Sequence, residues 1–446
     1  MERLIEKIFL GRTSSGAEVY ILKAKKPEVI AAVRSDVSTH KVSKKIFGEL
    51  KSSVDDIIEY FSREENYETA EKLVKRVTAS HGDMGEYEYI GIYLKNVSRL
   101  TTLIGWIISG SLRKEYMPGT EKSLRYVPIE GSVEEVFVQS LENYKILEKA
   151  LDLYKRMVAS GIPKEDARYI LPLATKTEEI LQPPPGRMTR KWIYYMLYSD
   201  YQEAREIGKI LKDWYDKEYV DGASEEVRIA DIPKSKLPLF KKGKTLSRRD
   251  LEKRLNSFDK IREELYAHFD VISKTLTWNA TTSISSFHQD IRNRQVYFDV
   301  ESLEEVIIRK EIVIPTSIKI SRFKEEFENL AKEMFEIAEN LFRKDPQQAV
   351  YYLPLGTKIN FFGRITGEEN IVDIVYLRTC RMAQSEIRAR YILLGCYVSK
   401  IAEEEDIEEL KRLLPRCLRE RRCFEFWRER CPVYKKWVKR KRDVLN

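Results

Sequence analysis

Cysteine is missing from the first 379 residues; all five lie further on, at 380, 396, 417, 423 and 431. That distribution excludes a disulfide framework for the whole fold and fits a reducing cytoplasm. Cys417, Cys423 and Cys431 lack the paired two-residue spacing of a zinc site, so no metal is expected. Histidine is scarce as well, with four in the chain. Nowhere do about 18 apolar residues run together, which excludes a membrane-spanning helix of ordinary length. Met1 to Leu10 alternates charged and apolar residues, unlike a signal peptide. No glycine-rich phosphate loop is present, because Gly105 to Gly119 has neither the spacing nor the flanking strand and helix. The expectation is a soluble, cytoplasmic protein that needs no membrane partner.

What is present is a long chain with material for packed cores. Its 446 residues exceed one ordinary core, and 43% hydrophobic with 11% aromatic residues argues against global disorder. Charged residues reach 34%, a balance expected of a protein from a hot environment. The net charge of +8 is the small difference between 79 basic and 71 acidic residues, so it permits anionic ligands without demanding nucleic acid. Residues 411–446 are basic and carry Phe424, Phe426, Trp427 and Trp437. Single-stranded nucleic-acid grips and helices that pack aromatics on a fold share this pattern; the second is expected here.

In chain order, residues 1–34 read as short strands, including the apolar run Val29 to Val33. Helical periodicity follows twice between Lys44 and Ser80. Tyr87 to Leu94 reads as a strand, with Ser98 capping a helix over Leu100 to Ile108. A long helix is expected from Val133 to about Ser160, stopped by Gly161, and another from Arg190 to about Tyr215. Residues 216–248 turn polar and Pro/Gly-rich and read as a linker. Beyond it come a helix from Leu251 to Tyr266, a β-rich run from Phe269 to Trp278 and a long helix from Lys324 to Arg343. The organisation expected is an N-terminal unit 1–215, the linker 216–248, a C-terminal unit 249–410 and a basic tail 411–446.

The two units repeat. Residues 167–175 (ARYILPLAT) and 349–357 (AVYYLPLGT) align with their prolines 182 apart. Each follows a long amphipathic helix and precedes a helix carrying Glu-Ile, at Glu206-Ile207 and Glu386-Ile387, which indicates tandem duplication. The densest chemistry sits in Phe287 to Ser302, FHQDIRNRQVYFDVES. On a helix Gln289 and Arg292 share a face and Arg294 points elsewhere, as at a helix end whose side chains fan out around a charged ligand.

Those residues resemble a known family. His288, Gln289, Arg292 and Arg294 resemble the H-Q-x-x-R-H-R signature of flavin-dependent thymidylate synthases, with Asn293 in place of the family's second histidine. His81-Gly82, Tyr87-Glu88, Val97-Ser98-Arg99 and Ser123-Leu124-Arg125-Tyr126 resemble its H-G-H, F-E-H, V-S-R and S-x-R-Y elements. Ala167-Arg168 with Leu171-Pro172 resembles its A-R-x-x-L-P, and Ala383 to Arg388 its A-Q-x-E-I-R. The resemblance implies an α+β fold of two tandem units, each a sheet wrapped by long helices, forming a pseudo-dimer that self-associates as a dimer of pseudo-dimers. It implies reductive methylation of dUMP to dTMP with FAD as cofactor and NADPH and methylenetetrahydrofolate as co-substrates. By carry-over Arg292, Arg294 and Gln289 are catalytic; Arg292, Asn293, Arg294, His81 and Glu88 bind the flavin; Gln289, Ser123, Arg125 and Arg388 bind dUMP.

The halves lose different parts of the pattern. The first has Ile107, Ile108 and Ser109 at the R-H-R position and Gly208 where the E-I-R arginine is expected. The second has Glu304 and Glu305 where S-x-R-Y would end. One composite site from both halves is the favoured reading, and a catalytically decayed relative that binds flavin, nucleotide or nucleic acid, or acts as a scaffold, is the alternative.

Overall fold

A computed structural model describes residues 3–37, 53–78, 87–111, 117–138, 141, 143–183, 186–219, 259–262, 265–293, 295–301, 303–381, 383–413, 415–419, 423, 431, 434 and 435. His40, His81, Arg294, nearly all of the expected linker and most of the basic tail, its four aromatics included, lie outside these residues.

The first half builds a sheet from β1 (Ile5–Arg12), β2 (Glu18–Ala24), β3 (Ile90–Ser98), β4 (Gly119–Glu121) and β5 (Lys176–Leu181), in the order β1-β2-β3-β5-β4. The second half repeats that order with β6 (Asp259–Arg262), β7 (Leu265–Asp270), β8 (Thr275–Ser283), β9 (Val296–Val300) and β10 (Lys358–Thr366), as β6-β7-β8-β10-β9. All strand pairings among the described residues are antiparallel. The chain is thus an α+β protein of two units with one topology. The helix expected over Leu251 to Tyr266 is replaced from Asp259 onward by β6 and β7. Alternating burial along Leu276 to Thr282 shows the period-two pattern of the β8 partner that holds them.

Among the described residues, the first half alone inserts three helices between β2 and β3: α1 (Pro27–Val37), α2 (Val54–Ser62) and α3 (Tyr67–Thr78). Val29 to Val33, expected as a strand, lies in α1 and is wholly buried. A short apolar run has no periodicity to separate strand from buried helix; Pro27 at the helix start settles it locally. These helices cover the outer face of the first sheet, burying Leu22, Tyr93 and Ile180 in a satellite core. Further on come α4 (Arg99–Ser111), α5 (Tyr144–Ala159), α6 (Arg187–Leu197) and α7 (Gln202–Glu218). The helix expected from Val133 to Ser160 is broken after one turn at Val133–Val136, and the one from Arg190 to Tyr215 is split into α6 and α7. The second half adds α8 (Ile284–Asp290), α9 (Leu303–Arg309), α10 (Lys324–Phe342), α11 (Pro346–Tyr351), α12 (Glu368–Arg378) and α13 (Ser385–Glu404).

The halves meet through the repeated segments themselves. Leu173 N donates to Leu353 O at 2.9 Å and Leu355 N to Leu171 O at 2.8 Å, while Ala174 N donates to Tyr351 O at 3.0 Å and Gly356 N to Tyr169 O at 2.8 Å. Pro172 faces Pro354 in an antiparallel bridge. The exchange is reciprocal, as across a two-fold axis. The equivalent helices α5 and α10 also cross here, with Lys149 paired to Glu333 at 2.7 Å and Arg156 to Glu326. One contiguous core runs through both halves.

Equivalent hydrogen bonds correct the alignment of the repeats. Ser98 caps α4, as expected, by accepting from Thr101 N at 3.1 Å, and Ser283 caps α8 by accepting from Ser286 N at 3.0 Å. Glu203 accepts from Ser98 N at 3.0 Å as Glu386 accepts from Ser283 N at 2.6 Å. The counterpart of Glu386 is therefore Glu203, whereas Glu206 binds Ser14. Arg205, two residues on, is the counterpart of Arg388, and the first half keeps this arginine. Gly208 has a packing cause instead: a Cβ there would lie 2.2 Å from Leu197 N and 2.6 Å from Leu197 Cα, so α6 and α7 touch backbone to backbone.

Gly208→Ala is expected to destabilise the fold by about 3 kcal/mol through overpacking, read as a lower urea midpoint at unchanged slope. Gly161→Ala has open space and only a φ of +87° against it, so about 1 kcal/mol is expected. Equal losses would refute the close approach.

Candidate functional site

The last residue of β3 is Ser98, so its cap on α4 puts Arg99 at the helix start, pointing toward the adjacent strands. Arg99 donates through Nη1 to Glu121 Oε1 at 2.8 Å and through Nη2 to Lys122 O at 2.8 Å and Thr177 Oγ1 at 3.2 Å. Glu121 ends β4 with a fully buried side chain. Its other oxygen accepts from Arg292 Nη2 of the second half at 2.5 Å. His288 Nε2 lies 3.2 Å from that same oxygen but off line for hydrogen bonding. Arg292 follows the end of α8, and its guanidinium sits 5.0 Å from the Trp106 ring centre of α4. One carboxylate thus receives an arginine from each repeat.

Around this contact lie three more guanidiniums. Arg125 donates to Glu165 at 2.8 Å. Arg168 reaches across to Gln384 Oε1 at 2.7 Å, and Gln289 donates to the same oxygen at 2.6 Å. Arg388 donates to the carbonyls of Arg381 and Ala383 and feels the charge of Arg125. Tyr169 of the first half donates to Glu386 of the second at 2.6 Å.

The electrostatics follow from burial and these neighbours. Burial would raise Glu121, but Arg99 and Arg292 outweigh it and hold the carboxyl down at about 2. Burial, helped by Arg292, pushes His288 down to about 3 against the pull of Glu121, so its imidazole is neutral. Burial and the adjacent Arg125 and Arg99 lower Arg168 to about 10. Glu179, opposite Glu121 on β5, is pushed up to about 8 by burial and then by Glu121. The cluster therefore brings five arginines together around Glu121, which is held ionised, an array of guanidiniums suited to a phosphate-bearing ligand.

Of the residues expected from sequence, Gln289, Arg292, Arg125 and Arg388 converge here. Ser123 turns the chain between Glu121 and Arg125, its Oγ accepting from Arg125 N at 3.3 Å. Asn293 is buried, donates to Asp290 O and accepts from Arg378 at 2.7 Å, so its amide is committed within the second half. Glu88 lies before the far end of β3 from Arg99, roughly 30 Å away at ~3.3 Å per residue; its carbonyl accepts from Gln182. His81 and Arg294 lie outside the described residues. Glu121 and Glu179 were not expected; the one available signal was the position of Glu121, two residues before Ser123. Arg99, Arg168, His288 and Gln384 stood within recognised motifs without assigned roles.

Seven of the symmetry-related positions are apolar. His288 lies five residues after Ser283, and Leu103 lies five after Ser98; on that count Ile104, Ile107 and Ile108 stand for Gln289, Arg292 and Asn293. Val300, paired with Phe361 as Glu121 is with Glu179, stands for Glu121. Ile284 stands for Arg99 and Val350 for Arg168. All seven are buried.

Comparison with known proteins agrees with the two-unit organisation. The family model described as thymidylate synthase complementing protein matches residues 22–182 and again 259–402. A flavin-dependent thymidylate synthase of Pyrococcus furiosus is 38% identical over 73 residues, covering 14% of this chain and 30% of that protein. The chain spans less than a third of that relative in the match. The family model meets most of the chain in two successive segments, one in each structural repeat, and so the chain belongs to the thymidylate synthase complementing protein family, that of the flavin-dependent thymidylate synthases, as a tandem pair of units.

Proposed function

We propose that the chain binds FAD and dUMP at one site built across its two halves and methylates dUMP reductively to dTMP, with methylenetetrahydrofolate as carbon donor and NADPH as reductant. The observation that carries this reading is the pair of arginines, Arg99 and Arg292, on the two oxygens of buried Glu121. Buried polar atoms beside that contact support a ligand: Arg99 Nε, Arg292 Nε and His288 Nε2 have no hydrogen-bond partner among the described residues. Such orphaned groups are costly unless a bound molecule completes them.

Arg292, stacked by Trp106, would hold the flavin edge and polarise the pyrimidine; Arg125 and Arg388 would take the nucleotide phosphate, and Gln289 and Ser123 the base and sugar. The flavin, when bound, supplies the hydride. The chain's own work is to orient both rings, exclude water and keep Glu121 ionised between its arginines. No equivalent work is available at the apolar counterpart, where Ile107 and Val300 replace Arg292 and Glu121. A second reading, a flavin- and nucleotide-binding protein without turnover, is favoured by Asn293, whose amide is spent on Arg378 and has no titratable form.

Purified chain is expected to take up FAD, seen as the flavin's visible absorbance, and equilibrium dialysis is expected to give one dUMP per chain. No flavin uptake would overturn the reading. Formation of dTMP with all co-substrates present separates the enzyme from the non-catalytic reading.

Arg292→Ala and Arg125→Ala, one in each half, are each expected to weaken dUMP binding by ~30-fold or more, the ~2 kcal/mol or greater loss of a charge-assisted contact. Partial losses that simply add in the double variant would indicate two independent sites.

A further inference from the structure

Glu179 and Glu121 are direct cross-strand partners on β5 and β4. Side chains so placed share a face with Cβ atoms about 5 Å apart. Both are buried, at 2% and 1% exposure. Yet the guanidinium bonds are distributed unequally: Arg99 and Arg292 both donate to Glu121, and Glu179 Oε1 has no hydrogen-bond partner among the described residues. Two buried carboxyls on directly paired residues, with the guanidinium bonds on one of them, disfavour double ionisation; the one without a guanidinium bond among the described residues, whose side chain meets only the Trp106 indole, keeps its proton.

The fold does not ask for a carboxyl here. Phe361 occupies the position of Glu179 in the second repeat and Val300 that of Glu121, with the same strand pairing. A buried acid beside the arginine cluster therefore has a cause outside packing. We propose that Glu179 presents a neutral carboxyl O–H to a ring carbonyl of the ligand held in this site, while Glu121 remains the ionised partner of the arginines. This rests on the reading of the site as one for FAD and dUMP, both of which carry such carbonyls.

The groups facing Glu179 are Glu121 from β4, Arg99 and Trp106 from α4, and Arg292 from the segment after α8, with neutral His288 beyond Glu121. Glu178 points to the other face of β5, where it pairs with Lys122 at 3.3 Å. Burial and Glu121 raise the Glu179 carboxyl to about 8, more than Arg292, Trp106 and Arg99 lower it. At neutral pH the donor is therefore present. Above that value it must be reprotonated for binding, so affinity falls toward a limit of about tenfold per pH unit.

The test compares wild type, Glu179→Gln and Glu179→Phe, titrating FAD and dUMP separately on both sides of pH 8, with circular dichroism to show that each variant is folded. Glutamine keeps an N–H donor and cannot titrate. Its affinity at neutral pH is expected within a few-fold of wild type, without the alkaline loss, and Glu179→Phe is expected to lose more than tenfold. The ligand whose alkaline loss disappears in Glu179→Gln is the one Glu179 contacts. A difference infrared spectrum of wild type minus Glu179→Gln is expected to contain the carbonyl stretch of a protonated carboxyl at neutral pH. Identical pH profiles in wild type and Glu179→Gln, or absence of that band, overturns the inference while leaving the FAD and dUMP reading intact. No binding of either ligand by any of the three proteins overturns both.

Discussion

The backbone bonds exchanged between Leu171–Ala174 and Leu353–Gly356 fix the register of the two halves. Each half presents the same short segment to the other, so the contact is self-complementary and admits one arrangement. Pro172 and Pro354 cannot donate, which confines the ladder to the residues on either side. With the axis so defined, β4 of the first half and α8 of the second come together, and Arg292 lands on Glu121. The cross-repeat contacts of Arg168 with Gln384 and Tyr169 with Glu386 follow from the same register.

Duplication inside one chain removes the constraint that both copies of a site stay alike. On one side of the axis stand the charged Arg99, Glu121, Arg168 and Arg292 with the neutral imidazole of His288; on the other the corresponding positions are Ile284, Val300, Val350, Ile107 and Leu103, all buried. Isolated buried charges are expensive, and breaking one partner of a buried pair leaves the rest uncompensated. A half-lost site is thus worse than none, and replacing it with aliphatic packing extends the common core. The retained side keeps its charges because each is answered: Glu121 by two arginines, Arg168 by Gln384, Arg125 by Glu165.

Much of the fold was legible because its signals are local. The helix over Lys324–Phe342, the cap at Ser98, the break at Gly161 and the repeated L-P-L segments can each be read from a few adjacent residues. Val29 to Val33 was misread because a buried helix and a buried strand are equally apolar over five residues. Glu203 was missed as the counterpart of Glu386 because its role is defined by a bond to Ser98, a residue distant in the chain, while Glu206-Ile207 offered a nearer verbal match. Gly208, read as a lost arginine, is a glycine because two helices touch there.

The amino-acid sequence by itself determined the duplication, the family and most of the residues that gather at the site, since motif order and hydrophobic period are properties of the chain. Only the tertiary structure decided which residues answer each other. That Glu121 holds Arg99 and Arg292 together, that Asn293 is turned to Arg378, and that Glu179 stands beside Glu121 with no ion pair of its own among the described residues all depend on distances between segments far apart in the chain. A carboxyl's charge is set by burial and by the nearest counter-ion in space, and neither can be counted along a sequence.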